Sequence, residues 1–252
     1  MNGSQHPRAA HTQKKGEGRT PVQERSQKTK KAIVLGAATA FDQKGYAATS
    51  LKDISIESNI SLGSIYFYFQ NKDQIAHAVI HEQHTRSYAL IKAKLDQEYG
   101  PFEQLIEISR AVVDQLLSDI VVRAGFRLGM DEAALQDAAA DFYEEWARGA
   151  QIIVERAQRD AVLRSAIPAP AISRLLVGFF TGTQLMSQAT SKRLDLLDMV
   201  RVMWILVIDG LVAESHTQRL YEFVESNFAE GSRLPSETET TNEHEGKNGS
   251  AN

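Results

Sequence analysis

Two helix starts stand ten positions apart in SNISLGSIYFYFQNKDQI, Ser58 to Ile75: Ser61 and Asn71, both residues whose side chains accept from the unpaired N–H groups of a first turn. Asn59, just ahead of them, is one of the few non-glycine residues that tolerate the left-handed region. Whatever folds between these signals is a very short helix entered from a sharp turn and followed at once by another helix. Within it the five large residues Ile65 to Phe69 cannot all point inward from one helix. At about 100° per residue, Ile65 and Phe69 share one stripe, and Phe67 lies opposite with Gly63 and Ser64 beside it. Phe67 therefore faces something other than the core of its own domain.

The segments on either side are helical too. Ile33, Ala37, Ala40 and Phe41 recur at three- and four-residue intervals and stop at Gly45, which readily closes a helix. Ser50 with Asp53 has capping-box spacing, and Leu51, Ile54 and Ser58 follow on one face. Asn71 with Gln74 repeats that spacing at the start of a longer fourth helix. Further helices are expected at about 101–118, 120–128, 131–160, 170–190, 195–214 and 216–229, with a break at IPAPA, Ile167 to Ala171. No alternating strand pattern and no internal repeat interrupts them. The fold class is all-α: a helix-turn-helix unit at 25–75, then a helical bundle at 76–230 joined to it through the fourth helix. Residues 1–24 and 231–252 are polar and aperiodic and read as disordered tails.

Several function classes drop out. With no cysteine, disulfides and thiolate metal sites are excluded. The start of the chain carries no secretory signal, which predicts a cytoplasmic protein. The most apolar run, Leu196 to Ala213, contains Asp198, Arg201 and Asp209 and suits a buried helix better than a membrane span. Gly178 and Gly182 are spaced for close helix packing. No nucleophile elbow, phosphate loop or dinucleotide fingerprint is present, so no enzyme activity and no cofactor is expected. His77, His81 and His84 share a helix face, but nothing in the sequence completes a metal set, and no metal is expected.

The net charge of −4 does not favour nucleic acid, yet Arg8, Lys14, Lys15, Arg19, Arg25, Lys28, Lys30 and Lys31 make the first segment basic. An α-helix fits the major groove of DNA. There Phe67 can meet a thymine methyl, Gly63 allows close backbone approach, and Ser64 offers a hydroxyl to a base edge. Tyr66 and Tyr68 flank that face and suit the phosphates, and Lys72 adds a cation to a helix N-terminus. Spacing alone leaves a duplex and a protein partner as equal candidates for the Phe67 face.

GYAATSLKDISIESNISLGSIYFYFQNKDQIAHAVI, Gly45 to Ile80, closely resembles the N-terminal domain of the TetR family of bacterial transcriptional regulators. The resemblance implies base contacts from Leu62, Gly63, Ser64 and Phe67 and phosphate contacts from Thr49, Tyr66, Tyr68 and Lys72. Three positions depart from the family pattern: Asn59 stands for the usual turn glycine, Leu62 for a basic or polar residue, and Tyr68 for histidine. The segments VVRAGFRL, FYEEWARGA and FFTGTQLMSQAT further resemble the γ-butyrolactone receptors of actinobacteria, which control secondary metabolism and development. That likeness implies a dimeric repressor on a palindromic operator, released by a small amphiphilic autoregulator, with Trp146 in the ligand cavity. An antibiotic or fatty-acyl ligand is the alternative. Phe126, Phe179 and Gln184 are further ligand candidates, and Leu175, Phe179, Leu197 and Leu206 are candidates for the dimer interface.

Overall fold

The computed structural model describes residues 21–131, 136–164 and 166–229. They form ten α-helices, with no strand among them beyond one isolated bridge between Leu163 and Val212. The helices are α1 (Pro21–Lys44), α2 (Leu51–Ser58), α3 (Leu62–Tyr68), α4 (Lys72–Leu95), α5 (Pro101–Ser118), α6 (Ile120–Asp131), α7 (Gln136–Arg159), α8 (Ala169–Ser191), α9 (Leu196–Leu211) and α10 (Glu214–Phe228). Helix α1 starts at Pro21, inside the stretch expected to be a tail, and Arg25, Lys28, Lys30 and Lys31 are exposed along it. The basic residues 8–19 and the C-terminal 231–252 lie outside the described residues.

The helix boundaries follow the capping chemistry. Gly45 takes φ 79° after α1, and Asn59 takes φ 54° and ψ 34° after α2. Ser50 and Asp53 complete a reciprocal box, the Asp53 N–H donating to Ser50 Oγ at 3.2 Å and the Ser50 N–H to Asp53 Oδ2 at 2.8 Å. Ser61 accepts from Ser64 N–H, and Asn71 from Gln74 N–H at 2.9 Å. The Gln74 side chain accepts from Gln70 N–H rather than from Asn71, so this second cap is one-sided.

Two hydrophobic cores result. The first gathers Ile33, Ala37 and Phe41 of α1, Ile54 of α2, Ile65 of α3, Phe69, and Ile75 and Val79 of α4. The second gathers α5 and α7–α10 around Phe102, Leu116, Val154, Trp204 and Phe228, with the Trp204 indole donating to Ser109 Oγ at 2.7 Å.

Helix α6 belongs to both cores. Val121, Ala124 and Leu128 enter the first, while Val122 and Phe126 enter the second. Spacings of three and four residues place these two sets on different faces of one helix. Helix α6 lies very close to α4: a Cβ added at Gly125 would meet the Cβ of Gln83 at 2.5 Å. Only a residue without a side chain fits there.

Candidate functional site

Helix α3 puts its residues where the spacing predicts. Ile65 is fully buried and Phe69 nearly so, while Phe67 is 81% exposed, Tyr66 57% and Leu62 39%. Nothing lies within 4 Å of a Cβ built at Gly63, which leaves backbone room on the same face. Ser64 accepts from the Ser61 hydroxyl at 3.1 Å. Tyr68 packs partly on the first core, edge-on to Phe67 at 5.1 Å between ring centroids. Ile56 of α2, 66% exposed, adds an apolar residue that the sequence reading passed over.

Two residues expected on phosphates turn inward. Thr49 is 2% exposed, and its hydroxyl donates to the carbonyls of Gly45 at 2.7 Å and Ala40 at 3.2 Å. Its side chain therefore locks the α1–α2 turn, because the carbonyls freed at a helix C-terminus are the nearest acceptors. Lys72 donates to the carbonyls of Tyr46 at 2.8 Å and Thr49 at 3.0 Å and lies 4.1 Å from the centre of the Tyr46 ring. It pins α4 to the same turn. Lys44 closes the unit from outside, with its ammonium 2.6 Å from Asp53 Oδ1. That bond first, then those from Ser50, hold the Asp53 carboxyl well below the usual carboxylate range.

Residues 33–79 match the profile described as bacterial regulatory proteins of the tetR family, and residues 99–213 match the profile of a tetracyclin repressor-like C-terminal domain. The chain belongs to the TetR family of bacterial regulators. It is similar to the A-factor receptor protein of Streptomyces griseus, at 28% identity over 75% of this chain and 66% of that one. With the regulator TtgR of Pseudomonas putida it shares 28% identity over 40% of this chain and 49% of the relative. The chain thus spans about half to two thirds of the length of these relatives. Among solved structures, a γ-butyrolactone receptor described as ArpA-like superposes with a TM-score of 0.68 at 25% identity, covering 81% of this chain and 98% of that one. CprB of Streptomyces coelicolor, solved with its operator sequence, superposes with a TM-score of 0.67 at 25% identity, covering 81% and 99%.

In this TetR protein the second candidate site surrounds Trp146. The indole of Trp146 lies 4.6 Å from the Phe142 ring and 5.8 Å from Phe126, and His84 of α4 stacks flat on the same Phe142 ring at 4.1 Å. This aromatic cluster joins α4, α6 and α7. Burial pushes the His84 imidazole down to about 4, with the charge of His81 acting in the same direction and Asp141 opposing. Asp141 and Glu145 of α7 share a cleft with His77, His81 and His84, but no group able to hold a metal ion occurs among the described residues.

Of the other ligand candidates, Phe179 and Gln184 separate from this cluster and Phe126 does not. Phe126 is buried within it. Phe179 is 43% exposed on α8 and faces outward, so it does not join the aromatic cluster. Gln184, 1% exposed, touches Arg193 of the α8–α9 turn, with its Oε1 accepting from Nη2 at 3.5 Å.

Leu175 at 68%, Phe179, and Met186 at 64% expose one face of α8, and Leu206 at 56% extends the apolar surface on α9. Leu197 is partly spent on its own core. Gly178 and Gly182 lie exposed with nothing within 4 Å of an added Cβ, so no close helix packing occurs at them within the described residues of one chain. They line the open groove between α7 and α8 instead. No described helix is long and apolar enough to cross a membrane.

The sequence reading missed the junction between the two cores. Arg123 of α6 holds Asp42 of α1, Nε to Oδ2, at 3.2 Å. Arg127, one turn on, donates to the carbonyl of Asp42 at 2.7 Å. Both place positive charge at the C-terminus of α1, where the helix dipole favours it. A VVRAGFRL segment with Arg four residues apart carried the signal for one basic face; its partner was not legible.

Proposed function

We propose that this TetR protein is a dimeric repressor that reads a palindromic operator through α3 and leaves it when a γ-butyrolactone-type amphiphile enters the bundle. The observation that carries the DNA reading is Phe67, 81% exposed beside an open Gly63 on a helix otherwise anchored by Ile65. So much exposed aromatic surface is costly unless a partner covers it. One such helix reads only a few base pairs, and a two-fold pair matches a palindrome. The apolar faces of α8 and α9 support that pairing.

The ligand reading is supported by the likeness to the A-factor receptor and by the aromatic cluster of Phe126, Phe142 and Trp146. Indole and phenyl faces suit an alkyl-bearing ring. A ligand that parts these rings displaces Phe126 on α6 and, through Phe142, His84 on α4. Helix α6 carries Val121, Ala124, Arg123 and Arg127 against the DNA-binding unit, so its movement reaches α1 directly. To take the population from 1:99 to 99:1, the ligand must prefer the released state by about 5.5 kcal/mol.

The test is fluorescence anisotropy of the full chain on fragments of its own upstream region, at two salt concentrations, with and without a synthetic γ-butyrolactone. Tight binding whose log affinity falls by roughly 0.9 per phosphate contact per decade of salt, and which the lactone reverses, is expected. Salt-insensitive binding, or binding the lactone leaves intact, refutes the corresponding half of the proposal.

A further inference from the structure

Two buried donors at the inner end of α8 have no use in the site described above. Gln184 Nε2 lacks an acceptor, and so does Arg193 Nε beside it. Buried amide and guanidinium N–H groups without acceptors are costly and rare in folded proteins. The backbone is strained to bring Arg193 there: Lys192 takes φ 55° and Arg193 φ 67°, two successive left-handed residues of which neither is glycine. Asp195 fastens the turn, accepting from the hydroxyls of Ser187 and Ser191 at 2.5 Å each, while the Arg193 N–H donates to Ser187 O at 3.1 Å.

Burial holds the Arg193 guanidinium below its ordinary pKa, with the charge of Asp42 opposing and that of Arg123 assisting, the two groups of the ion pair at the C-terminus of α1. Arg127 is bound to the Asp42 carbonyl as well. Arg193 and Arg123 are therefore both drawn to the one carboxylate of Asp42. The surplus is positive, and the two unpartnered atoms of this site are both donors. An oxygen acceptor, best of all a carboxylate, satisfies both conditions.

We propose that Gln184 and Arg193 form a subsite for an oxygen acceptor of the effector, a carboxylate or a carbonyl, at the point where the ligand domain meets α1. The subsite rests on the effector-released reading and adds to it the chemistry of the effector's polar end. An acceptor drawn to Arg193 also attracts Arg123 and so competes with Asp42 for it. Occupation thereby loosens the contact that holds α1 to α6.

Binding is read from the intrinsic fluorescence of Trp146 and Trp204 in the full-length protein, which needs no DNA. The probes are a synthetic 2-alkanoyl-γ-butyrolactone, its ring-opened hydroxy acid, decanoate and decanol, against the native chain, Arg193→Gln, Arg193→Lys and Gln184→Leu. The native chain is expected to prefer acid over lactone and decanoate over decanol. Arg193→Gln and Gln184→Leu are expected to weaken acid binding by about ten- to a hundredfold while leaving decanol unchanged. Arg193→Lys, which keeps the charge without the fork, is expected to retain part of the acid preference. If Arg193→Gln folds poorly, the Lys and Leu variants decide alone.

Equal affinities for all four chains overturn the subsite, as does equal binding of decanoate and decanol, or saturable binding of none of the probes. If lactone and hydroxy acid fail while decanoate binds through Arg193, the subsite stands and the lactone assignment falls. A parallel anisotropy titration of the DNA complex reports the repressor reading separately.

Discussion

Replacing Phe67 with Ala separates a residue kept for a partner from its neighbour kept for the fold. Phe67 is 81% exposed, so folding removes only about a fifth of its surface from water. With ~1.5–3 kcal/mol for complete burial of such a side chain, the truncation costs the fold only ~0.3–0.6 kcal/mol. Ile65, two positions earlier and fully buried, is expected to cost ~2–5 kcal/mol when cut to Ala. If DNA covers the rest of Phe67, each α3 loses ~1–2.5 kcal/mol of binding and a dimer about twice that, roughly thirtyfold or more in affinity. Urea denaturation gives the first quantity, and anisotropy on an upstream fragment the second. A Phe67→Ala protein that binds DNA within twofold of the native one, or that loses more than ~1 kcal/mol of stability, refutes the reasoning.

Lys72→Met tests the inward role of that lysine. Losing its bonds to Tyr46 and Thr49 is expected to lower stability by ~1–3 kcal/mol in urea denaturation. The salt slope of DNA binding should stay as it is, whereas loss of a phosphate contact would reduce it by about 0.9 for each subunit. His84 supplies a pH dependence. Its folded value of about 4 lies below the ordinary 6.5, so the unfolded chain takes up the proton first. Its contribution is complete above pH 6.5 and is lost as pH falls toward 4. The urea midpoint should therefore drop between pH 7 and pH 5, and His84→Phe, which keeps the stack on Phe142, should remove part of that slope. Phe179→Asp places a carboxylate on the exposed apolar face of α8 and is expected to shift sedimentation toward the monomer at micromolar concentration while the monomer stays folded.

What could be read from the chain was what each helix does by itself. Ser50, Ser61, Asn71 and Pro101 start helices where capping chemistry requires, and Asn59 and Gly45 adopt the left-handed backbone that ends them. The rotation per residue then fixes that Ile65 points in and Phe67 points out, whatever the neighbours are. The histidine face of α4 was equally visible. Its carboxylate neighbours Asp141 and Glu145 were not, because they come from α7, more than fifty residues away.

Tertiary structure decided what lies opposite each face, which periodicity cannot encode. Thr49 and Lys72 have the right types and positions for phosphates, yet in the folded chain they donate to the carbonyls at the end of α1 and in the following turn. Phe179 sits on an apolar helix, and only the packing of α8 shows that it faces outward. Above all, α6 reads as an ordinary amphipathic helix, but the fold sets one of its faces in each core and both of its arginines on α1. A sequence fixes the angle between two side chains on one helix; the distance from either to another helix exists only once the cores have closed.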